Sequence, residues 1–264
     1  MVAGLVEGKV ALVSGIGPGM GRDISLLLAE HGAKVALGAR TLAKCASVAE
    51  EIIEAGGEAL PLTLDITDAA SCQAAVAATL ERWGRIDILV NNAFHDGDFK
   101  YFLKADLDSW RQTMDVNLWG TLQLTQLVAT QMKAQGDGRI VMTNSMSAVR
   151  VQERYGAYAA SKSALATATK SLALELGRFG IRVNGVHPGY IWGESVETYF
   201  EYQADARGIT PEEVYAEVAD ENALKYLPHS SEIAGAVLFM ASDLAKPITG
   251  QALHVNAGHW FEGF

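Results

Sequence analysis

Tyr158 and Lys162, the ends of a Tyr-Ala-Ala-Ser-Lys run, have the clearest capacity for proton chemistry in this sequence. Four residues apart on a helix, they project from one face. A phenol with its ordinary pKa near ~10 is a poor base at neutral pH. A neighbouring ammonium favours the phenolate and lowers that value. The pair could then take a proton from an alcohol or return one to a nascent alkoxide. Ordinary helices show the same spacing, so the rest of the chain must supply the context. Ser145 lies just past an apolar run, Asn117 lies in a helical segment before it, and Asn91-Asn92-Ala93 and Pro188-Gly189 end two further apolar runs.

Residues 14–21 read Ser-Gly-Ile-Gly-Pro-Gly-Met-Gly. Glycines at 15, 17, 19 and 21 permit unusual backbone angles and the close approach of a pyrophosphate. A helix opening at Met20 would add free N–H groups and the positive end of its dipole. The strict G-x-G-x-x-G fingerprint is absent; Gly15, Gly19 and Gly21 give G-x-x-x-G-x-G instead. Ribose selectivity should be set at the end of the second strand, where an acid would bond a 2′-hydroxyl and repel a 2′-phosphate. The chain has Ala39-Arg40 there. A guanidinium suits a 2′-phosphate, so Arg40 predicts NADP(H) over NAD(H). The competing reading makes Arg40 an exposed arginine in a surface turn.

These residues need a scaffold that gathers strand ends on one rim. Apolar runs at 9–14, 34–39, 58–64, 86–90, 139–143, 181–187 and 252–255 read as strands. Helical periodicity fills 20–31, 42–55, 68–83, 106–135, 155–179 and 230–242. Strands this apolar, alternating with helices, argue for a parallel sheet covered on both faces. Right-handed crossovers then give a doubly wound, Rossmann-type α/β/α domain, with ligands at the carboxyl ends of the strands. The rhythm breaks once, at 190–228, a Glu- and Tyr-rich insertion read as helical in part.

The chain has 264 residues, of which 49% are hydrophobic, which suits one large domain spanning 1–264. A net charge of −10 repels phosphate backbones and weighs against nucleic acid as a partner. Cys45 and Cys72 lack zinc-type spacing and are too few for a disulfide framework, so reduced thiols and no metal are expected. No apolar stretch approaches the ~20 residues of a membrane helix. Residues 1–7 carry no basic segment ahead of an apolar core. A cytoplasmic protein with no membrane partner is expected.

Taken together, the Gly15/Gly19/Gly21 loop, Asn91-Asn92-Ala93, Asn117, Ser145, Tyr158, Lys162 and Pro188-Gly189 stand in the order and spacing of one family. From about Lys9 to Val255 the chain resembles a classical short-chain dehydrogenase/reductase. The resemblance implies a seven-stranded parallel sheet and an Asn117–Ser145–Tyr158–Lys162 tetrad. In it Tyr158 is the acid/base, Ser145 bonds the substrate oxygen, Lys162 lowers the tyrosine pKa and holds the nicotinamide ribose, and Asn117 positions a water in a proton relay. Gly17, Met20, Asn91 and Ala93 join the cofactor contacts, with Asp65 and Ile66 beside the adenine and Ile191 beside the nicotinamide. Phe94 stands where the family usually has Gly, and the family's Thr or Ser after Pro-Gly is replaced by Tyr190-Ile191-Trp192, with Ser195 as a substitute.

The implied reaction is hydride transfer between NADP(H), or NAD(H), and a carbonyl or secondary alcohol of a small, apolar substrate. The 190–228 insertion would be its lid, with Tyr190, Trp192, Tyr199, Phe200, Tyr202, Tyr215 and Tyr226 enclosing the substrate or packing the lid. His95, Asp96 and Phe94 would form the opposite lip. The aromatic tail, 258–264, is expected to dock on a partner subunit or a neighbouring lid, and a homotetramer or homodimer is implied. The alternatives are a catalytically silent dinucleotide-binding regulator of the same fold, whose signature would be loss of Tyr158 or Lys162, and a same-fold epimerase or dehydratase, for which the chain is short.

Overall fold

The structure, a computed structural model, describes residues 4–261. Seven strands form its single sheet: β1 (Val10–Ser14), β2 (Lys34–Ala39), β3 (Glu58–Thr63), β4 (Ile88–Asn91), β5 (Gly138–Thr143), β6 (Ile181–Pro188) and β7 (Ala252–Val255). They lie in the order β3-β2-β1-β4-β5-β6-β7, and every pair is parallel. Strand order reverses between β1 and β4. A crevice therefore opens at their carboxyl ends, where such folds bind ligands.

Side-chain alternation along the strands divides the core in two. Ala11 and Val13 of β1, Val35 and Leu37 of β2, and Ile88 and Val90 of β4 face one layer. That layer is α1 (Met20–Glu30), α2 (Leu42–Glu54) and α9 (Ser230–Ala241). Leu12, Ala36, Leu89 and Met142 face the other, built from α3 (Ala69–Trp83), α5 (Thr121–Gln135) and α6 (Gly156–Leu176). Burial on both faces explains why the strands read as continuous apolar runs. Cys45 and Cys72 are free, buried thiols, one in each layer. Among the described residues no helix is long and apolar enough to cross a membrane.

Two expected elements differ. The fourth strand begins at Ile88, because the buried Asp87 carboxylate accepts the Val10 N–H at 2.9 Å and pairs with Arg85. The helix expected over 106–135 is two helices, α4 (Leu107–Met114) and α5, joined by a π-helical turn over Asp115–Gly120. Gly120 permits the crossing there, since a Cβ would stand 2.9 Å from the Ile66 carbonyl oxygen.

The 190–228 segment carries α7 (Glu194–Arg207) and α8 (Pro211–Glu221) on a small core of its own around Phe200 and Val214. A capping box, Thr210 with Glu213, opens α8. The described part of the tail folds onto this same segment: Leu224 donates to the Ala257 carbonyl at 3.0 Å, and His259 bonds Glu221 at 3.0 Å. These contacts lie within the chain, on its own 190–228 segment, while Trp260 and Phe261 stay exposed. Residues 262–264 of that tail lie outside the described residues.

Candidate active site

The glycine loop occupies the β1–α1 turn. Gly15 has φ +85°, and a Cβ there would overlap the backbone of Ala93; at Gly21 it would overlap the Gly15 carbonyl oxygen. These two glycines let the loop, α1 and the end of β4 touch. Asn92, which the sequence reading did not assign, locks the contact by donating from Nδ2 to the Gly15 carbonyl at 2.8 Å. Asn91 turns the other way, donating to Thr125 Oγ1 at 2.9 Å within the core. Gly17 and Gly19 behave differently, because a Cβ at either meets nothing within 4 Å.

Gly19 precedes α1, which starts with no side-chain cap, so the first-turn N–H groups beside Met20 face the same open space. Buried polar atoms without a partner among the described residues, Asn91 Oδ1, Thr143 Oγ1 and Asn144 Nδ2, sit at the neighbouring ends of β4 and β5. An uncapped helix end over open glycines fits a pyrophosphate-bearing dinucleotide. At the far end of the crevice Arg40 is exposed at the end of β2. Asp65 lies near it: hydrogen bonds from Thr67 and the Arg40 charge hold its carboxyl below the usual range. Ile66 is buried, its carbonyl taken by Gln123 at 3.0 Å. Pro188 closes β6, and Gly189 packs against Asn256, where a Cβ would stand 2.9 Å from the Asn256 Cβ. Ile191 follows, half-buried.

The structure brings Asn117, Ser145, Tyr158 and Lys162 together. Ser145 follows β5 and caps a short 3-10 turn by accepting from the Ser147 N–H at 3.1 Å. Its hydroxyl lies close enough to Tyr158 to pull the phenol pKa downward. Lys162 is 2% exposed, donates to the Thr143 carbonyl at 2.8 Å, and holds its Nζ 5.6 Å from the centre of the Tyr158 ring. Asn117, in the π turn, is fully enclosed. Its Oδ1 accepts from the His95 N–H at 2.7 Å, and its Nδ2 donates to the His95 carbonyl at 2.8 Å and Ser161 Oγ at 2.9 Å. It staples the loop after β4 to α6. The His95 backbone is taken up in that staple and its Nδ1 accepts from the Gly97 N–H, while Trp192 packs edge-on to Tyr215 at 4.7 Å. Ser195 is exposed on the first turn of α7.

The electrostatics correct one expectation. Burial pushes the Tyr158 phenol up to about 12, with the Ser145 hydrogen bond pulling the other way and the Asp96 charge adding to the rise. Burial also pulls the Lys162 amine down to about 7. Tyr158 keeps a partly exposed edge, yet it lies deep enough for desolvation to dominate. The lowering of the tyrosine by its lysine is therefore not seen: spacing reveals proximity, but not the burial that discharges the amine.

A stability signature follows. A lysine whose folded pKa lies below its unfolded value destabilises the fold at low pH, and that cost fades as pH rises from about 7 toward 10.5. Lys162→Met should therefore melt several degrees above the native protein at pH 7. The gap should narrow by pH 10 in a series of thermal denaturations; a gap that widens with pH would contradict the burial argument.

A family model described as Enoyl-(Acyl carrier protein) reductase matches residues 15–259. The chain is 34% identical over 261 residues to the short chain dehydrogenase/reductase AstE of Aspergillus oryzae, covering 96% of this chain and 95% of that one. Among solved structures, NAD+-bound xylitol dehydrogenase superposes with a TM-score of 0.89 at 30% identity, covering 95% of this chain and 98% of that one. A variant of actinorhodin polyketide ketoreductase with NADPH gives 0.90 at 32% identity, covering 98% and 99%.

Proposed function

Since this chain belongs to the short-chain dehydrogenase/reductase family, and is thus an oxidoreductase acting on CH–OH groups with a nicotinamide dinucleotide, we propose that Tyr158 is its proton donor and acceptor. In the same reading NADP(H) is the preferred cofactor. The observation that carries the first point is the Tyr158 phenol set beside Ser145, with its ring over the buried amine of Lys162.

A nicotinamide dinucleotide held over the Gly15–Gly21 loop would supply the hydride, or accept it in the oxidative direction. Ser145 and Tyr158 together hold the substrate oxygen. Tyr158 gives that oxygen its proton during reduction, and its raised pKa keeps the phenol protonated at neutral pH. Lys162, with an amine near 7, can exchange a proton with the phenol under the same conditions. The Asn117 side chain, bonded to His95 and Ser161, positions the loop and helix around Tyr158. The α7–α8 segment serves as the lid. A homotetramer or homodimer fits the exposed Trp119 and Leu174 on the helical faces.

Arg40 supports the NADP(H) preference, although xylitol dehydrogenase binds NAD+ and the ketoreductase binds NADPH. A guanidinium–phosphate contact is worth about 1.5–3 kcal/mol. Arg40→Ala should therefore weaken NADPH binding about ten- to a hundredfold in a fluorescence titration and leave NADH nearly unmoved. Equal binding of the two cofactors by the native protein would make Arg40 a surface residue and remove the preference. Oxidation of NADPH on mixing with a panel of ketones tests the activity itself.

A further inference from the structure

Building on the oxidoreductase reading of the Tyr158 site, we propose that the substrate carries a positively charged amine, held at the site mouth by Asp96 and the tyrosines around it. The substrate class is then an amino ketone, or its amino alcohol, with the nitrogen protonated or quaternary.

Asp96 is fixed from both sides. Its predecessor His95 has both backbone groups held by the Asn117 side chain, at 2.7 and 2.8 Å. Its successor Gly97, at φ +84°, lies in ordinary contact range of α4 and α6, where a Cβ would stand 3.4 Å from Thr113 Oγ1 and 3.8 Å from the Cβ of Ala157, the residue before Tyr158. The chain therefore presents Asp96 at the catalytic tyrosine. Its charge is felt by both Tyr155 and Tyr158, raising each phenol. Asp96 is exposed and has no hydrogen-bond or ion-pair partner among the described residues, whereas Asp98 pairs with Lys100 at 3.5 Å.

Tyr190 and Tyr199 both pack against the buried Phe200, at 6.2 and 6.1 Å between ring centres, and Tyr190 also stacks on His259 at 5.8 Å. Both lie close enough to Tyr155 to raise its phenol. Aromatic faces beside an unpaired carboxylate attract cations. None of the nearby cations pairs with Asp96: Arg150 bonds Glu221 at 3.3 Å with its buried Nη1 left over, Arg154 donates to the Phe99 carbonyl at 2.7 Å, and Lys162 donates to the Thr143 carbonyl below Tyr158.

The lid adds a long-range field of the same sign. Residues 190–228 hold nine carboxylates against Arg207 and Lys225, a net of −7 in a chain of net −10. Only three of those carboxylates, Glu217, Asp220 and Glu221, form ion pairs with an arginine or lysine among the described residues. An acidic cover over a carboxylate-lined mouth concentrates cations and repels anionic substrates.

The test uses two ketones of the same shape, acetonyltrimethylammonium and neopentyl methyl ketone, with cofactor-loaded protein. The native protein should favour the ammonium ketone in kcat/KM, and Asp96→Asn should reduce the ratio of the two about tenfold, the equivalent of one good charged contact. Any effect of Asp96 on the Tyr158 pKa acts on both ketones and cancels in that ratio. Calorimetric binding of tetramethylammonium gives a readout that needs no turnover, and it should weaken about tenfold in Asp96→Asn. An unchanged ratio, or tetramethylammonium binding that is absent or indifferent to Asp96, overturns the proposal. Tetramethylammonium binding that depends on Asp96, with neither ketone turned over, would instead place the failure in the catalytic reading.

Discussion

Tyr158→Phe should lower kcat for carbonyl reduction by about 10²–10⁴, the range lost when a positioned general acid is removed, while NADPH binding stays within about threefold by the same reasoning. The variant keeps the ring that lies over Lys162 and removes only the hydroxyl beside Ser145. The proton-donating form is the neutral phenol, and a pKa raised to about 12 keeps it populated across the range in which the protein can be assayed. The rate of reduction should therefore show no loss from phenol ionisation below pH 10. Steady-state kinetics of the two proteins with one ketone settle the matter: retention of more than a tenth of native kcat would move the acid role elsewhere, since the smallest effect of this kind is about a hundredfold.

The second large effect lies in the loop and separates packing from binding. Gly15→Ala forces an alanine into the left-handed region at φ +85° and drives its Cβ into the backbone of Ala93. Left-handed strain costs about 1–2 kcal/mol, and overpacking about 1–3 kcal/mol more. For a chain of this size that is a fall in melting temperature of about 4–20 °C, at about 2–4 °C per kcal/mol. Gly17→Ala has nothing to strike within 4 Å, so its melting temperature should stay at the native value. Its methyl would enter the open space above the uncapped start of α1, and NADPH affinity should fall. If Gly17→Ala melted as early as Gly15→Ala, the division of the loop into packing and cradle glycines would be wrong.

The sequence made the scaffold legible because both faces of the sheet are buried. With Leu12 facing one layer and Val13 the other, polar residues are excluded from both, and the runs stand out. Burial itself was harder to read. The Tyr158–Lys162 spacing reveals proximity, but the low-dielectric setting that pulls Lys162 toward 7 comes from β5 and the loop after it, which are distant in sequence. The choice between Asn91 and Asn92 is similar. Two adjacent asparagines end one strand, and only the phase of its alternation decides that Asn92 reaches Gly15 while Asn91 turns to Thr125. Asp96 carried no motif at all; its place depends on the backbone on either side being held by Asn117 and packed near Ala157.

The widened turn at Asp115–Gly120 ties this protein's chemistry to its residue count. A π turn is in effect one surplus residue carried inside a helix. Deleting one residue between 115 and 120 would let α4 and α5 merge into one regular helix with its two ends nearly in phase, and the widened turn itself would be lost. Asn117 would leave His95 and Ser161, and Gly120 would leave Ile66. Changes of residue identity can be absorbed along much of this segment, but a change of length cannot, so its spelling can drift over generations while its number of letters stays fixed.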